Sequence, residues 1–485
     1  MVDGTPPGVL ELEERFEKQQ FEGNPAFGIE QHGFDHIPER ERNLSIREFA
    51  LFWVGTNAYV FFIAIGAIAV AIGLSLWQAI IAIVIGNLLF AYPAYGAIAG
   101  VRSGLPTMTF SRAAFGINGN RFNCLMAWLT SVAFEAINTI LGIFAVVALL
   151  NELGWNDPGT AGKLLGLVLV FGVAASLAVL GHATMIFVQR FFAVMLGITV
   201  ILVFLHIVGD VDWDKPGASS LSGGAEFGLL LVGIAIIASA PLSYMFNTSD
   251  FSRYLPGATS SRAIFWTVML AAGGTAFFLC LVGAMAATLG DFADPVAGME
   301  PLIPGWLFIF YILAAMGGAV ANNVPTFYAS GLTLQAAGIP LKRYQATILD
   351  SSVATVIVLY ILFVSEDFQA TLNDFLSFLL VWIGPFAGIW LADNVLRRFV
   401  YDPADLHRLD GGRYYGWKGF RTPGLVALVV GAIVCFLTLS APKYQGPLSE
   451  SLLSNGDLTW LLGPPVGALV YVLLTRREMR KAVAQ

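Results

Sequence analysis

The stretch SAPLSYMFNT, residues 239–248, closes an aliphatic run that is long enough to cross a bilayer. Its proline, Pro241, cannot donate a helical hydrogen bond, and most of its neighbours are polar. A second interruption, GTNAY at residues 55–59, places a glycine and two polar side chains inside another apolar run. The two stretches therefore predict two transmembrane helices that are broken within the membrane, as either a substrate cavity or a packed interior would allow.

The composition is that of a membrane protein. Of the 485 residues, 57% are hydrophobic and only 12% are charged, whereas a soluble domain is about 25% charged. The formal net charge of -7 says little, because charge in a membrane protein is informative by location. The cysteines Cys124, Cys280 and Cys435 stand far apart within apolar stretches. We therefore expect no disulfide, no metal site and no cofactor.

Apolar runs of spanning length recur along the whole chain, and they predict an all-α fold with twelve transmembrane helices. The predicted helices cover residues 48–73, 77–99, 122–150, 163–181, 186–208, 226–247, 263–289, 305–337, 349–365, 372–395, 423–440 and 457–475. If residues 1–46 are cytoplasmic and partly disordered, all but three of the 26 Lys and Arg residues fall on the cytoplasmic side. This asymmetry follows the positive-inside rule and predicts that both termini are cytoplasmic, in the plasma membrane.

The two interrupted helices are the first and the sixth, five helices apart. Paired interruptions of this kind are typical of inverted-repeat transporters, whose unwound backbone binds substrate and coupling ion at the midplane. A proline kink in the sixth helix and a close helix contact at Gly55 are the alternative explanation. The predicted organisation is a first repeat at 47–208, a second at 226–395, a basic cytoplasmic loop at 396–422, two further helices within 423–475 and a cytoplasmic tail at 476–485.

The third predicted helix carries Glu135, the only carboxylate that the predicted spans place near mid-membrane depth. A charge at that depth costs roughly 2.5 kcal/mol or more, so Glu135 must be protonated, paired or facing a wet cavity. Ser131, Glu135 and Asn138 share one helix face through their spacing, with Phe134 beside them. The alternative is a neutral Glu135 that hydrogen-bonds a neighbouring helix.

Two further helices carry unusual residues. In the eighth, Asn322 and Asn323 stand before Pro325, which predicts a disturbed helix. An asparagine amide offers a donor and an acceptor together, which suits the edge of a heterocycle, although helix packing would also explain the pair. In the tenth, the pair Gly384–Pro385 predicts a bend point that serves as a gate.

Four segments resemble the nucleobase:cation symporter family, the purine-cytosine permease and hydantoin transporter group, and in particular its fungal and actinobacterial branch. They are GFDHIPERER at 33–42, SDFSRYLP at 249–256, ANNVPTFY at 321–328, and Gly384–Pro385 with Ala392–Asp393 in the tenth helix. The resemblance covers nearly the whole chain. It implies a LeuT-like fold of five plus five inverted helices with two extra helices, alternating access, and a site built from helices one, three, six and eight.

The resemblance also implies roles for single residues. Phe134, where many relatives have Trp, would stack on a ring substrate, and Asn138 would hydrogen-bond to it. The substrate-binding residues that we predict from the pattern and the resemblance together are Ser131, Phe134, Glu135, Asn138, Pro241, Ser243, Tyr244, Asn322, Asn323, Pro325 and Thr326. Sodium-coupled relatives use hydroxyl groups in helix eight where this chain has Met316 and Gly317.

A desolvated carboxyl holds a proton readily, so Glu135 is the predicted proton-coupling residue. If sodium is used instead, the backbone of Gly55 and Ala58 is predicted to bind it. The expected function is import of a purine or pyrimidine nucleobase by cation symport, with the proton preferred. A symporter of a hydantoin, allantoin or vitamin precursor is the alternative, and a membrane substrate sensor is the alternative from another class.

An enzyme is not expected, because the spans hold no nucleophile with its base and no metal-ligand set. The expected partners are the nucleobase, the coupling proton or sodium ion and the lipid bilayer. Nucleic acid is not expected as a partner, and the chain is expected to act as a monomer.

Overall fold

The computed structural model describes residues 35–179, 182–217, 223–339, 341, 343–365 and 368–484. Within these residues the fold is almost entirely helical, and the strands Ser440–Ala441 and Tyr444–Gln445 form one short antiparallel hairpin. The predicted helical class is therefore confirmed. The predicted disorder of the N-terminal segment concerns mainly residues 1–34, which lie outside the described residues.

The main helices of the first part of the chain are α1 (Ile46–Asn57), α2 (Val60–Ala71), α3 (Leu76–Leu88), α4 (Ala91–Ser103), α5 (Asn120–Glu152), α6 (Gly159–Val179) and α7 (His182–Ile207). Those of the second part are α8 (Gly224–Ser243), α9 (Thr248–Ser252), α10 (Ser261–Thr267), α11 (Gly274–Ala286), α12 (Gly305–Ala336), α13 (Arg343–Phe363), α14 (Phe368–Leu396), α15 (Thr422–Thr438) and α16 (Thr459–Ala484). Shorter helical segments are Glu39–Glu41, Thr107–Phe110, Arg112–Phe115, Tyr244–Phe246, Val268–Gly273, Ala297–Leu302, Pro403–His407 and Pro447–Leu452.

The first predicted span is two helices, α1 and α2, which meet at a bend of 52°. Ser45 begins α1 through a capping box with Glu48. At Ala58 the backbone leaves helical geometry, with φ -80° and ψ 71°, and Tyr59 is extended. The break predicted at GTNAY is therefore confirmed. It leaves backbone carbonyl groups at the end of α1 without the N–H partners of a continuous helix.

The sixth span is also interrupted, just beyond the predicted proline. Helix α8 continues through Pro241 to Ser243 and passes into a single 3-10 turn, Tyr244–Phe246. Asn247, with φ -142° and ψ 2°, then separates this turn from α9. The hydroxyl of Ser243 donates to the carbonyl oxygen of Ala240 at 2.6 Å, a local bond that competes with the regular helical pattern.

The prediction of a disturbed eighth helix is wrong. Helix α12 runs from Gly305 to Ala336 without interruption and contains Pro325. Pro325 has no N–H to donate to the carbonyl oxygen of Ala321, four residues earlier. The side-chain amide of Gln189, on α7, donates to that oxygen instead, with Nε2 2.6 Å away. A donor from another helix thus replaces the missing bond, and the helix continues through the proline.

Among the described residues, seven helical stretches are long and apolar enough to cross a membrane, and the bent pair of α1 and α2 makes an eighth. Shorter apolar stretches lie at Val194–Ile207, Ile348–Phe363 and Thr422–Thr438. Each of the twelve predicted ranges overlaps a helix of the structure. The chain is therefore a polytopic helical membrane protein.

Close helix packing positions the site. Helix α5 lies along α12, α14 lies along α16, and α2 lies along α11. Small residues permit this approach: a Cβ added to Gly388 would lie 1.7 Å from the carbonyl oxygen of Pro464. A Cβ added to Gly66 would lie 2.0 Å from the carbonyl oxygen of Cys280. Such contacts are the usual means of joining helices in a membrane, where lipid removes the hydrophobic drive for association.

Candidate functional site

A cavity lies where the break between α1 and α2 faces α5, α12 and the interrupted end of α8. It is lined by Tyr59, Phe61, Phe62, Ala127, Thr130, Ser131, Phe134, Ala240, Ser243, Tyr244, Phe246, Asn247, Asn322 and Thr326. Its empty volume is about 470 Å³, the open mouth included.

Aromatic rings form the walls of this cavity. The ring of Phe134 meets that of Phe61 edge to face, with centroids 5.8 Å apart. On its other side Phe134 meets Phe375 of α14 at 5.3 Å, again edge to face. Tyr59 stacks on Phe61 at 5.6 Å. Rings held in this way present flat apolar faces, which suit a planar ligand.

Asparagine side chains connect the helices at one side of the cavity. Nδ2 of Asn322 donates to the backbone oxygen of Thr56 at 2.6 Å, and so bonds a carbonyl at the end of α1. Nδ2 of Asn138 lies 2.7 Å from Oδ1 of Asn322 and 2.9 Å from Oδ1 of Asn323. Asn323 in turn donates to the hydroxyl of Thr139 at 3.0 Å. The network joins the broken helix to α5 and α12.

Four buried polar atoms around the cavity have no hydrogen-bond partner among the described residues. They are Oδ1 of Asn138, Oγ1 of Thr56, Oδ1 of Asn247 and Nε1 of Trp53. Buried polar atoms in a native protein are nearly always paired. Asn247 lines the cavity, so its Oδ1 is an acceptor that a polar ligand would satisfy.

The structure brings most of the predicted substrate-binding residues to one place. The ones that line the cavity are Ser131, Phe134, Ser243, Tyr244, Asn322 and Thr326. Asn138 and Asn323 lie behind this lining and contact it through hydrogen bonds. Pro241 and Pro325 lie within α8 and α12 and do not line the cavity. Their contribution is to the backbone of the helices that carry the site.

Glu135 is fully buried and is not among the residues that line the cavity. Neither carboxylate oxygen has a hydrogen-bond partner among the described residues. A helix turns by about 100° per residue, so the neighbours Phe134 and Glu135 point in different directions. The cavity is lined by the face of α5 that carries Ser131 and Phe134, and the side chain of Glu135 is not part of that lining. The carboxyl is thus close to the site in sequence and separate from it in space.

The two backbone positions predicted for sodium lie at the break. A Cβ added to Gly55 would be 2.5 Å from Oε1 of Gln189, so this side chain packs directly on the glycine. Ala58 is buried against Leu196 and Ala314. Gln189 was not predicted as a site residue, although it is the only amide side chain in a mostly apolar predicted helix, and this signal would have identified it.

The predicted gate residues lie on another face of α14. Pro385 packs on Gly431 of α15 and on Gly467 of α16. A Cβ added to Gly384 would lie 3.4 Å from Cα of Gly463. The residue of α14 that reaches the cavity wall is Phe375, through its contact with Phe134. Within the described residues, no three His, Cys, Asp or Glu side chains are grouped so that they could hold a metal ion.

Residues 36–463 match the family described as permeases for cytosine/purines, uracil, thiamine and allantoin. This chain belongs to that family. The match confirms the resemblance drawn from the four sequence segments, and it makes this permease a membrane transporter of small molecules and not an enzyme.

Individual relatives are similar over nearly the whole length. The permease is 25% identical to the allantoin permease of Bacillus subtilis over 469 residues, which cover 91% of this chain and 92% of the relative. It is 23% identical to a purine-cytosine permease of Emericella nidulans over 487 residues, covering 93% and 89%. It is 25% identical to the hydantoin permease of Microbacterium maritypicum over 450 residues, covering 88% of each.

Among solved structures, the fold is similar to that of Mhp1, a nucleobase-cation-symport-1 family transporter. The closed conformation of Mhp1 with bromovinylhydantoin bound gives a TM-score of 0.75 at 19% identity, covering 94% of this chain and 97% of that one. The inward-facing conformation of Mhp1 gives a TM-score of 0.70. The permease therefore shares the fold of Mhp1.

Proposed function

We propose that this permease is a secondary active transporter that imports a purine or pyrimidine nucleobase together with a cation, by alternating access. The observation that carries the proposal is the cavity at the break between α1 and α2, with aromatic walls and asparagine amides at its side. A nucleobase has flat faces for the ring of Phe134 and an edge of alternating donors and acceptors for Asn322. Both kinds of partner are present in one cavity.

Relatives named for purine and cytosine, for allantoin and for hydantoin support a ring compound with amide-like edges as substrate. The nucleobase is our first choice, and a hydantoin, allantoin or vitamin precursor is the alternative. The hydroxyl groups of Thr130, Ser131 and Thr326 lie among the lining residues and would distinguish such rings by their edges. A site built to hydrogen-bond a group discriminates strongly against analogues that lack it.

We propose a proton as the coupling ion, bound at Glu135. An ionised and unpaired carboxylate within the bilayer is costly, whereas a protonated one is not. Alternating access would let Glu135 take up a proton on one side of the membrane and release it on the other. Because Glu135 does not line the cavity, its proposed role is in coupling and not in contact with the substrate.

Sodium is the alternative coupling ion, and one observation favours it. Oε1 of Gln189 is buried next to Gly55 and has no hydrogen-bond partner among the described residues. Together with the backbone oxygens of Gly55 and Ala58, it would supply the oxygen ligands that hard cations prefer. The two ions thus have different sites and can be separated by experiment.

The proposed architecture has twelve transmembrane helices with both termini in the cytoplasm, in the plasma membrane, and a monomer as the working unit. The proposed repeats, 47–208 and 226–395, are supported by the two interruptions, which lie within the first and the sixth predicted spans, after α1 and after α8. Residues 423–475 would add two helices. We propose that α14 pivots at Gly384–Pro385, so that Phe375 moves against Phe134 and closes the cavity.

The function is tested with the purified permease in liposomes. Uptake of labelled cytosine, adenine, hypoxanthine, uracil and allantoin is measured in sodium-free buffer, with a pH gradient that is acid outside. We expect at least one nucleobase to be concentrated, and a proton ionophore to abolish the accumulation. Accumulation of allantoin alone would support the alternative substrate. Accumulation that needs sodium and ignores the ionophore would support the alternative ion.

Glu135→Gln tests the coupling residue. This variant should still exchange labelled for unlabelled substrate but should lose accumulation driven by the pH gradient. Glu152→Gln, at the exposed end of the same helix, is the matched control and should keep both activities. If Glu135→Gln still concentrates substrate with an unchanged dependence on external pH, the proton role of Glu135 is wrong.

A further inference from the structure

A second buried carboxylate lies beside α5, outside the lining of the substrate cavity. Asp350 of α13 is fully buried. Its two carboxylate oxygens accept hydrogen bonds from different helices: Nε1 of Trp128 on α5 donates to Oδ1, and the hydroxyl of Ser330 on α12 donates to Oδ2. Asp350 was not predicted as a site residue, because the predicted boundary at 349 placed it at the end of a span.

Glu135 and Asp350 are linked through α5. Asp350 accepts a hydrogen bond from Trp128 of that helix. Trp128 and Glu135 are seven residues apart on α5, two helical turns along one face, so the indole that bonds Asp350 lies below Glu135 on the same side. None of these residues, nor Ser330, lines the substrate cavity. The pair therefore forms a polar site of its own between α5, α12 and α13.

Other charged groups on the helices packed against α5 have partners elsewhere. Lys163 of α6 lies 5.7 Å from the ring of Phe363. On α14, Asp374 lies 3.3 Å from Nζ of Lys443, and Asp393 forms an ion pair with Arg397 at 2.8 Å. Glu135 and Asp350 are both buried, and neither forms an ion pair among the described residues. A buried carboxyl group without a cationic partner is more stable when it holds a proton, because burial disfavours its charged form.

We propose that Asp350 is a second proton-binding group, which receives the coupling proton from Glu135 and passes it to the cytoplasm by a route separate from the substrate cavity. This inference rests on the proposed proton symport. In the transfer the O–H bond of Glu135 breaks, a water molecule carries the proton, and an O–H bond forms on Asp350. The pair thus exchanges one proton without a change in its total charge. Cytosolic water then accepts the proton from Asp350.

The two donors on Asp350 give the step a direction. Trp128 and Ser330 donate hydrogen bonds that stabilise the ionised form of Asp350, whereas the carboxylate oxygens of Glu135 have no hydrogen-bond partner among the described residues. Ser330 is on α12, which also carries Asn322 of the cavity, and Trp128 is on α5, which also carries Phe134. Movement of either helix during transport would loosen a donor from Asp350 and favour the transfer. The substrate and the proton would then be linked through the same two helices.

The test uses the full-length permease in liposomes that enclose a pH-sensitive dye, with cytosine or another accepted base as substrate. Asp350→Asn should keep substrate exchange within about twofold of wild type, but should lose at least tenfold in gradient-driven accumulation and in substrate-dependent acidification of the lumen. Asp374→Asn, a buried carboxyl elsewhere in the fold, is the matched control and should keep all three. Full accumulation by Asp350→Asn would overturn the inference.

Ser330→Ala keeps the Asp350 carboxyl and removes one of its donors, so it serves even if Asp350→Asn does not fold. Without that donor Asp350 should hold its proton more tightly, and the internal pH at which uptake is half-maximal should rise by about one unit. A residue that acts only in packing would lower activity without moving this pH profile, and that result would overturn the inference.

If wild type itself moves no protons with substrate, the proposed proton symport is wrong. If wild type and Asp350→Asn both move protons with the substrate to the same extent, the relay through Asp350 is wrong and the proposed proton symport stands.

Discussion

The side-chain amide of Asn322 donates to the backbone carbonyl oxygen of Thr56 across 2.6 Å, and this bond joins α12 to the broken end of α1. The same Asn322 accepts from Asn138 on α5 and lines the cavity. One side chain therefore supports the helix break, contacts the third helix of the site and faces the place of the ligand. A ligand that binds Asn322 would act on the position of α1 directly.

Replacement of Asn322 by alanine should reduce both substrate affinity and transport. The substitution removes the side-chain donor of the Thr56 carbonyl, at a cost of about 1–3 kcal/mol for a buried group left unpaired, and it removes one of the two acceptors of the Asn138 amide. We expect at least a tenfold loss of uptake at low substrate concentration. Asn87→Ala is the control, because Asn87 is buried outside the lining of the cavity and donates to Ile83 of its own helix at 2.9 Å. Uptake by Asn322→Ala within twofold of wild type would contradict this role.

Phe134→Ala should weaken substrate binding, because it removes an aromatic face of the cavity. Aromatic contacts contribute about 0.5–1.5 kcal/mol beyond simple burial, which corresponds to a rise in the apparent KM of roughly threefold to tenfold. Phe144→Ala is a suitable comparison, because Phe144 is on the same helix and packs on Phe368 outside the lining. Equal effects of the two substitutions on KM would argue against a contact between Phe134 and the substrate.

Gln189 and Pro325 should be energetically coupled. Gln189→Met removes the donor for the Ala321 carbonyl and should lower stability by about 1–3 kcal/mol. In a Pro325→Ala background the helix supplies its own N–H to Ala321, so the same change at Gln189 should cost less. Thermal unfolding of the four proteins in detergent gives the coupling energy as a double-mutant cycle. Additive effects would show that Gln189 does not compensate for the proline.

Acidification should destabilise the N-terminal segment through His36. Burial, and then the charge of Arg42, lower the pKa of His36 to about 4, and Nη2 of Arg42 lies 3.1 Å from its Nε2. An unfolded histidine has a pKa near 6.5, so between these values the folded state binds fewer protons than the unfolded state. Stability from this group is present above pH 6.5 and is lost as the pH falls toward 4.

The measurement is thermal unfolding of the purified permease at pH 7 and at pH 5. His36 should account for at most about 2 kcal/mol of the stability lost over this interval. His36→Gln has no proton to gain, so its stability should change less between the two pH values. An equal change in the variant and in wild type would place the pH dependence on other groups.

Local chemistry explains why the helical class and the break at GTNAY were predicted correctly from the sequence, whereas the family was predicted from the resemblance of four segments. A run of apolar residues long enough to cross a bilayer, or a glycine followed by polar residues within it, acts on the backbone at its own position. The interruption of the sixth span follows Pro241 by one turn, and the prediction located it within the right ten residues. The eighth predicted span, α12, was wrongly predicted to be disturbed. The hydrogen bond that Pro325 cannot make to the Ala321 carbonyl is replaced by one from Gln189, which is more than a hundred residues away in the chain.

By itself, the sequence determined which segments are helices, where the first span must break, and which residue types a site on the third and eighth spans, α5 and α12, would offer. Only the tertiary structure decided that Phe134 lines the cavity while Glu135 does not, and that Trp128, on the face of α5 that carries Glu135, bonds Asp350. The physical reason is that the rotation of a membrane helix about its own axis is set by packing against its neighbours. An apolar helix surrounded by protein and lipid has no strong amphipathic pattern from which that rotation could be read.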